Sequence, residues 1–303
     1  MNLEPEDFIF GSHRSHGEIL AKCLSAIDKM DDKEIETIIS EFMEGDTYNV
    51  VKEHFAGNNI KDTAQNFIIY GTLAEIYAKK TGFSRGLGGS MHTFFAPFGS
   101  MPNNAIVGGS GTIAFGSALY KKVNRKKGIV IANIGDGSLA RGPVWEAMNM
   151  AAMDQYNTLW EENKGAPPYM VNVFNNFYGM GGQPVGETSG VGIAARIGSG
   201  VNPMSMHSER VDGFNPLAVA DATSRKKEIL LKGEGPVFMD TITYRFSGQS
   251  PSDAMTYRSK EEVDAFKEQD PIFKYGEYLV QNKIVTNEEL TAMSETILAK
   301  LKT

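Results

Sequence analysis

The sequence predicts an α/β fold with a mainly parallel sheet, and three observations carry that expectation. Segments of helical periodicity alternate with short apolar runs rich in β-branched residues. The clearest run, "GIVIANI" (128–134), is apolar but for Asn133, as befits a strand buried on both faces. It then delivers an acid between two glycines, Gly135-Asp136-Gly137, to the carboxyl end where open α/β sheets bind ligands.

Each element follows from its local pattern. "SHGEILAKCLSAIDKM" (15–30) and "DTAQNFIIYGTLAEIYAKKTG" (62–82) read as helices, the second stopped by Gly82. "GTIAFGSALYKKVN" (111–124) is a helix rich in small residues. After strand 128–134 comes helix 142–156, with Pro143 suited to its first turn. "YMVNVF" (169–174) is the next strand, and successive parallel strands usually lie side by side. From Gly179 to Gly200 there are eight glycines in 22 residues, more typical of a ligand-covering segment than of a compact connection. A helix over 215–233, closed by Gly233, leads into strand 236–244. The tail from about Lys260 is helical and polar-faced. No repeat, linker or composition shift divides the 303 residues, so the expectation is one domain over 1–303 with a C-terminal helical appendix.

Composition excludes several classes. The net charge of −7 is spread along the chain, and its short basic clusters make no nucleic-acid footprint. No apolar run reaches the length of a membrane span, and the N-terminus lacks the basic start and apolar core of a signal peptide. The single cysteine, Cys23, cannot form an internal disulfide and reads as a core residue, which points to the reducing cytoplasm.

Chemistry concentrates at two strand ends. Asp136 follows the first strand, and Asn175, Asn176 and Tyr178 follow the second. A carboxylate, an amide oxygen and a backbone carbonyl are hard donors that suit Mg²⁺, which keeps other positions for water and phosphate oxygens. The plainer alternative is a capped turn beside a strand terminated by asparagines. "GGSGTIA", with Gly109, Gly111 and Ala114, has the spacing of a dinucleotide fingerprint, but no strand immediately precedes it.

These residues sit within longer words: "HRSHGEILAK" (13–22), "SRGLGGSMH" (84–92), "GDGSLARGPVWEAMNMAA" (135–152), "NNFYGMG" (175–181), "RVDGFNPLAV" (210–219) and "YRFSGQSPSDAMTYRSKEEVDAFKEQDPI" (244–272). In this order, they resemble the alpha subunit of the thiamine diphosphate-dependent 2-oxo acid and acetoin dehydrogenases, from Asp7 to about Ile272. The resemblance implies a thiamine diphosphate-binding fold with helices on both faces of the sheet. It also implies an active site shared with a beta subunit in an α2β2 heterotetramer, with a lipoyl-bearing acyltransferase as a further partner. The substrate would be a 2-oxo acid or small ketone.

Carried over by motif, Asp136, the Asn176 side chain and the Tyr178 carbonyl would ligate Mg²⁺. His13 and Arg14 would contact the diphosphate, His13 standing where the family has tyrosine. Gly135, Gly137 and Ser138 would approach it through the backbone, and Ala105 and Val107 would face the aminopyrimidine. His16 and His92 are the candidates for proton transfer near the thiazolium.

Three departures are legible. Gln249 stands where the family has a histidine; it can hydrogen-bond but not titrate. "YNTLWEENKGAPP" (156–168) reads as an inserted surface loop. The chain begins almost at its Arg-x-His-Gly word, so the wall that precedes this word in the family is expected to be absent or supplied by another chain. These departures leave a split transketolase-like carboligase as the alternative function, ahead of a non-catalytic partner subunit or an NAD-dependent oxidoreductase.

Overall fold

A computed structural model describes residues 2–12 and 14–302. Strand β1 (Phe8–Phe10) is followed by four helices: α1 (His16–Lys29), α2 (Asp32–Glu41), α3 (Asp46–His54) and α4 (Ile60–Ile76). Then come β2 (Ser100–Met101), α5 (Gly109–Val123), β3 (Val130–Gly135), α6 (Gly142–Ala151) and β4 (Tyr169–Asn175). The single turn α7 (Pro184–Glu187) and α8 (Ala195–Val201) precede β5 (His207–Asp212), α9 (Pro216–Lys232) and β6 (Val237–Ile242). The chain closes with α10 (Lys260–Lys267), α11 (Pro271–Gln281) and α12 (Asn287–Lys302).

The six strands form one sheet in the order β2-β1-β3-β4-β6-β5, and every pairing is parallel. Because both faces are covered, the central strands are apolar on each. Val130, Ala132, Ile134, Val171 and Val173 pack against Phe115, Ala118, Val144, Ala147 and Met148 on one side. Ile129, Ile131, Met170, Val237 and Met239 pack with Ala222 and Leu230 on the other. Helices α1 to α4 build a separate apolar cluster around Ile19, Ile27, Phe67 and Ile68, joined by Phe83, Phe95 and Phe98. The predicted fold class and the adjacency of the two chemistry-bearing strands both hold.

The structure corrects several boundaries. Helix α4 ends at Ile76, six residues before Gly82, because Ala78 takes a left-handed φ of 53°. The chain then folds around the buried Glu75, whose carboxylate accepts from the backbone of Ser84 (2.8 Å), Gly86 (2.9 Å), Gly88 (2.7 Å) and Gly89 (3.1 Å). Helix α6 stops at Ala151 and a separate 3-10 turn covers Asp154–Asn157, because Met153 is extended. Residues 195–201, expected as loop, are helical. Strands β1 and β2 are too short for a periodic signal, and β5, "HSERVD", is a polar edge strand.

The 156–168 stretch is a surface loop, as expected. Trp160 stacks on Tyr156 (6.0 Å between centroids), Glu162 pairs with Arg125 (2.8 Å), and the Ala166 N–H donates to the Gly233 carbonyl (2.9 Å). These ties place it at the amino edge of the sheet, at the end opposite Asp136.

Replacing Glu75 by alanine strands four backbone N–H groups at once. Glu75→Ala is expected to cost about 2–4 kcal/mol, seen as a lower urea midpoint at unchanged slope.

Candidate active site

Strand β3 is continuous to Gly135, and a 3-10 turn, Asp136–Ser138, follows it. Strand β4, in register alongside with Gly135 opposite Phe174, ends at Asn175. The two tips therefore converge, and Asp136, Asn175 and Phe177 share a cavity of about 130 Å³. The glycine-rich segment supplies the rest of its wall through Gln183, Pro184, Val185, Ser189, Val191, Gly192 and Ala194. The segment thus covers the two strand tips. The turn and this segment approach so closely that a Cβ on Gly137 would lie 3.1 Å from the Gly179 Cα, which explains a glycine there.

Asp136 is 7% exposed; its Oδ1 accepts from the Gly137 N–H at 2.8 Å, while its Oδ2 is buried without a hydrogen-bond partner. Burial pushes its carboxyl up to about 6, against the backbone N–H groups of Gly137, Phe177 and Asn176 and the charge of Arg245. The two asparagines divide their work. Asn175 is buried and donates to Asp240 Oδ1 (2.8 Å), so its amide anchors neighbouring strands. The Asn176 Oδ1 accepts from the Tyr178 N–H at 3.1 Å, in a turn that follows the strand.

The C-terminal segment grips this site from one side. Glu262 accepts from the hydroxyls of Tyr178 (2.7 Å) and Tyr244 (2.8 Å), and Tyr244 stacks on Phe266 at 3.9 Å. Arg14 donates to the Gln249 backbone carbonyl, and Arg245 donates to the Gln249 side-chain oxygen. Arg245 also reaches the Gly179 carbonyl (3.4 Å) and the Tyr257 hydroxyl (3.2 Å). Gln249 thus stands between two guanidiniums, where an acceptor amide is accommodated without a proton.

The histidines meet at the other side. The His16 Nε2 lies 2.7 Å from the Ser90 carbonyl oxygen, and the His92 Nδ1 lies 2.8 Å from Asn103 Oδ1. Asn103 donates in turn to Ser15 Oγ (3.1 Å) and the Met91 carbonyl (2.8 Å), tying the start of α1 to the loop that carries His92. Val107 and Ser138 line one small cleft together with Ser12, Ser110 and Asn133. Ala105, on the same loop, is exposed and does not line that cleft. His13 lies outside the described residues. The dinucleotide alternative fails on geometry: β2 is two residues long, and residues 102–108 separate it from α5 without strand pairing.

Several residues that shape the site were not singled out from sequence. Arg245 lies inside the quoted "YRFSGQS" word, so its signal was present. Asp240 also holds Arg210 (2.9 Å) and the Ala195 N–H (3.3 Å); an acid inside the apolar run "PVFMDTITY" was the available clue. Glu75 and Glu18 sit in helical patterns and gave none.

The donors fit a divalent cation bound with a diphosphate. A buried carboxylate oxygen without a partner, a nearby amide oxygen and two guanidiniums supply hard oxygen ligands and phosphate-binding cations together. Such a fold and site define a class of enzymes that hold a metal diphosphate at the carboxyl edge of a parallel sheet. Residues 46–303 match the Dehydrogenase E1 component family, and the chain belongs to it. Members of that family use thiamine diphosphate with a magnesium ion.

The chain is 35% identical over 227 residues to the mitochondrial pyruvate dehydrogenase E1 component subunit alpha of Dictyostelium discoideum, covering 74% of this chain and 55% of that one. It is 33% identical over 225 residues to the pyruvate dehydrogenase E1 component subunit alpha of Rickettsia conorii, covering 74% and 64%. The figures for the same subunit of Rhizobium meliloti are 31% over 228 residues, 75% and 61%. The chain thus spans between about half and two thirds of the length of these relatives. No helix among the described residues is long and apolar enough to cross a membrane.

Because burial raises Asp136, its contribution to stability is present below about pH 4 and lost as pH rises through about 6. Asp136→Asn is therefore expected to stabilise the metal-free chain at pH 7.5 by about 1–3 kcal/mol, with little effect at pH 4. Denaturant unfolding at the two pH values checks this. In the parent chain, Mg²⁺-dependent cofactor affinity should fall as pH drops below about 6, since the protonated acid cannot ligate.

Proposed function

We propose that this chain is the diphosphate-side, alpha half of a thiamine diphosphate-dependent enzyme that cleaves the bond next to a carbonyl. The observation that carries the proposal is the buried, unpartnered Oδ2 of Asp136, set at a strand tip beside the Asn176 turn. Asp136 Oδ2, Asn176 Oδ1 and the Tyr178 carbonyl hold the magnesium ion. Arg14 neutralises the diphosphate, and Gly135, Gly137 and Ser138 leave room for it and offer backbone N–H groups. Arg245, already turned toward Asp136, adds a second cation. Ala105 and Val107 face the aminopyrimidine. His16 and His92, held by Ser90 and Asn103, take and return protons beside the substrate. Bound there, the cofactor supplies the sink for the electron pair released when the carbon–carbon bond breaks.

The partner in this reading is a beta subunit that supplies the pyrimidine-activating glutamate, in an α2β2 assembly. Ile106 (71% exposed), which lines the small cleft, and Leu87 (91%) on the His92 loop are exposed apolar side chains that support a protein partner. The substrate is a 2-oxo acid or acetoin, and the acceptor is the lipoyl group of an acyltransferase. The chain forms a single cofactor-side domain with its helical appendix from about residue 260. Its buried Cys23 thiol, pushed up by burial, is consistent with a reducing, cytoplasmic setting. Gln249, which cannot exchange a proton, favours one second reading, a split transketolase-like carboligase.

The test is activity of the chain co-purified with a beta-type partner. Dye reduction with pyruvate or acetoin that needs both thiamine diphosphate and Mg²⁺ is expected, and carbon transfer dependent on an aldehyde would select the second reading. Asp136→Ala and Asn176→Ala are each expected to lower activity at least about a hundredfold. Full activity in Asp136→Ala would leave only a non-catalytic role.

A further inference from the structure

Glu18, two residues beyond His16 on α1, carries a second buried carboxyl with an unsatisfied oxygen. Its Oε2 has no hydrogen-bond partner. The group is packed against the chain segment before α1: a Cβ on Gly11 would lie 2.4 Å from Glu18 Oε2 and 2.4 Å from the Ser15 Cβ. The polar side chain that acts on its charge is Asn133 on β3.

Asn133 is itself the end of a polar row across the sheet. The Thr241 hydroxyl donates to Asn172 Oδ1 at 2.7 Å, and Asn172 Nδ2 donates to Asn133 Oδ1 at 2.9 Å. With its oxygen turned to Asn172, Asn133 acts on Glu18 as a donor through its Nδ2, lowering the carboxyl's titration. The row thus fixes which way the amide points, and it points a donor at the carboxyl.

Position gives this contact its meaning. Gly11 precedes Arg14 by three residues, and Asn133 precedes Asp136 by three. Glu18 therefore wedges between the two backbone segments that lead to the phosphate-binding arginine and to the metal-binding aspartate. The segments also meet directly, where the Ser110 hydroxyl donates to the Gly11 carbonyl (3.3 Å), beside the cleft lined by Ser12, Val107, Asn133 and Ser138.

We propose that Glu18 is a positioning residue for the cofactor cradle: as the neutral acid it holds the Gly11 segment against the end of β3, and its ionisation drives them apart. This rests on the cofactor reading above. A neutral carboxyl fits the space, with the Asn133 amide beside it. An ionised one leaves a buried charge with a single donor. Burial pushes the group up to about 7, the Asn133 amide works against this, and no charged group contributes among the described residues. The titratable neighbours on its own helix are His16, engaged with Ser90, and Lys22 one turn on, whose ammonium donates to the Phe98 carbonyl (2.7 Å); Gly11, Ser15 and Asn133 carry no charge. The structural effect therefore falls in the neutral range, as pH rises through about 7.

Two measurements test this, thermal unfolding of the purified chain and cofactor titration of the chain co-purified with its beta-type partner, with Glu18→Gln as the non-ionising isostere and Glu18→Met as a second variant should the first not fold. In thermal unfolding without cofactor, the wild-type chain is expected to lose stability between about pH 5 and pH 7.5 relative to Glu18→Gln. The variant should then melt several degrees higher at pH 8 and equally at pH 5. In titrations with Mg²⁺ and thiamine diphosphate followed by calorimetry, wild-type affinity is expected to fall at least fivefold from pH 6.5 to pH 8.5, with Glu18→Gln flat over that range. Equal melting at pH 8, or the same alkaline loss of affinity in the variant, overturns the proposal while leaving the cofactor reading intact. Absence of binding at every pH in both proteins overturns the cofactor reading and the link to Glu18 with it.

Discussion

Asp136 sits at the end of a strand buried on both faces, with one carboxylate oxygen buried and without a hydrogen-bond partner. Placing a carboxylate there costs free energy, and the rise of its titration to about 6 expresses that cost. The chain alone does not compensate for it; a divalent cation would. The neighbouring geometry follows from keeping this oxygen available. Asn175, beside it at the strand end, is committed to Asp240. Arg245, whose charge reaches it, is held by Gln249, Gly179 and Tyr257. A strand end is thus stabilised by its surroundings without its ligand atom being consumed.

The parallel sheet makes this possible. With β3 and β4 adjacent and in register, residues that follow their last paired positions are brought to the same edge whatever their separation in sequence. The anchors lie one layer behind. Asp240 on β6 joins Asn175, Arg210 and the start of α8, so the strand carrying the asparagines and the edge strand β5 share one acid. On the opposite face Thr241, Asn172, Asn133 and Glu18 form the polar row. Each strand near the site therefore bears a polar residue close to its carboxyl end, where a purely apolar layer would fix the strands less specifically.

What the sequence made legible divides along the same line. The strands around 130 and 170, the acid between glycines, the paired asparagines and the covering glycine segment all announce themselves through local patterns that survive without tertiary information. The end of α4 did not, because Gly82 is the conventional stop while the actual cause is a carboxylate gathering four N–H groups from residues still to come. Strands of two and three residues have no period to detect. Glu18 was invisible for a related reason: an acid in the first turn of a helix ordinarily faces water and favours the helix dipole, and only the packing of Gly11 and Asn133 removes it from solvent.

The site is also one-sided. The glycine segment, the aromatic cluster of Tyr178, Tyr244 and Phe266 and the Glu75-centred loop enclose it from this chain. The loop bearing Ala105, Ile106 and Val107 instead projects apolar side chains outward, with Val107 45% exposed and Ile113 of α5 equally so. A loop expected to face an aromatic ring system would not leave such groups in water if its surroundings were complete. The His92 loop shows the same pattern, since Leu87 and Met91 stand exposed while Glu75 fixes the backbone beneath them. Rigid backbone under exposed apolar side chains suits a surface that receives another protein with little rearrangement. In the proposed reading the chain supplies the diphosphate half, and a beta subunit would close the remaining wall over residues already set in place.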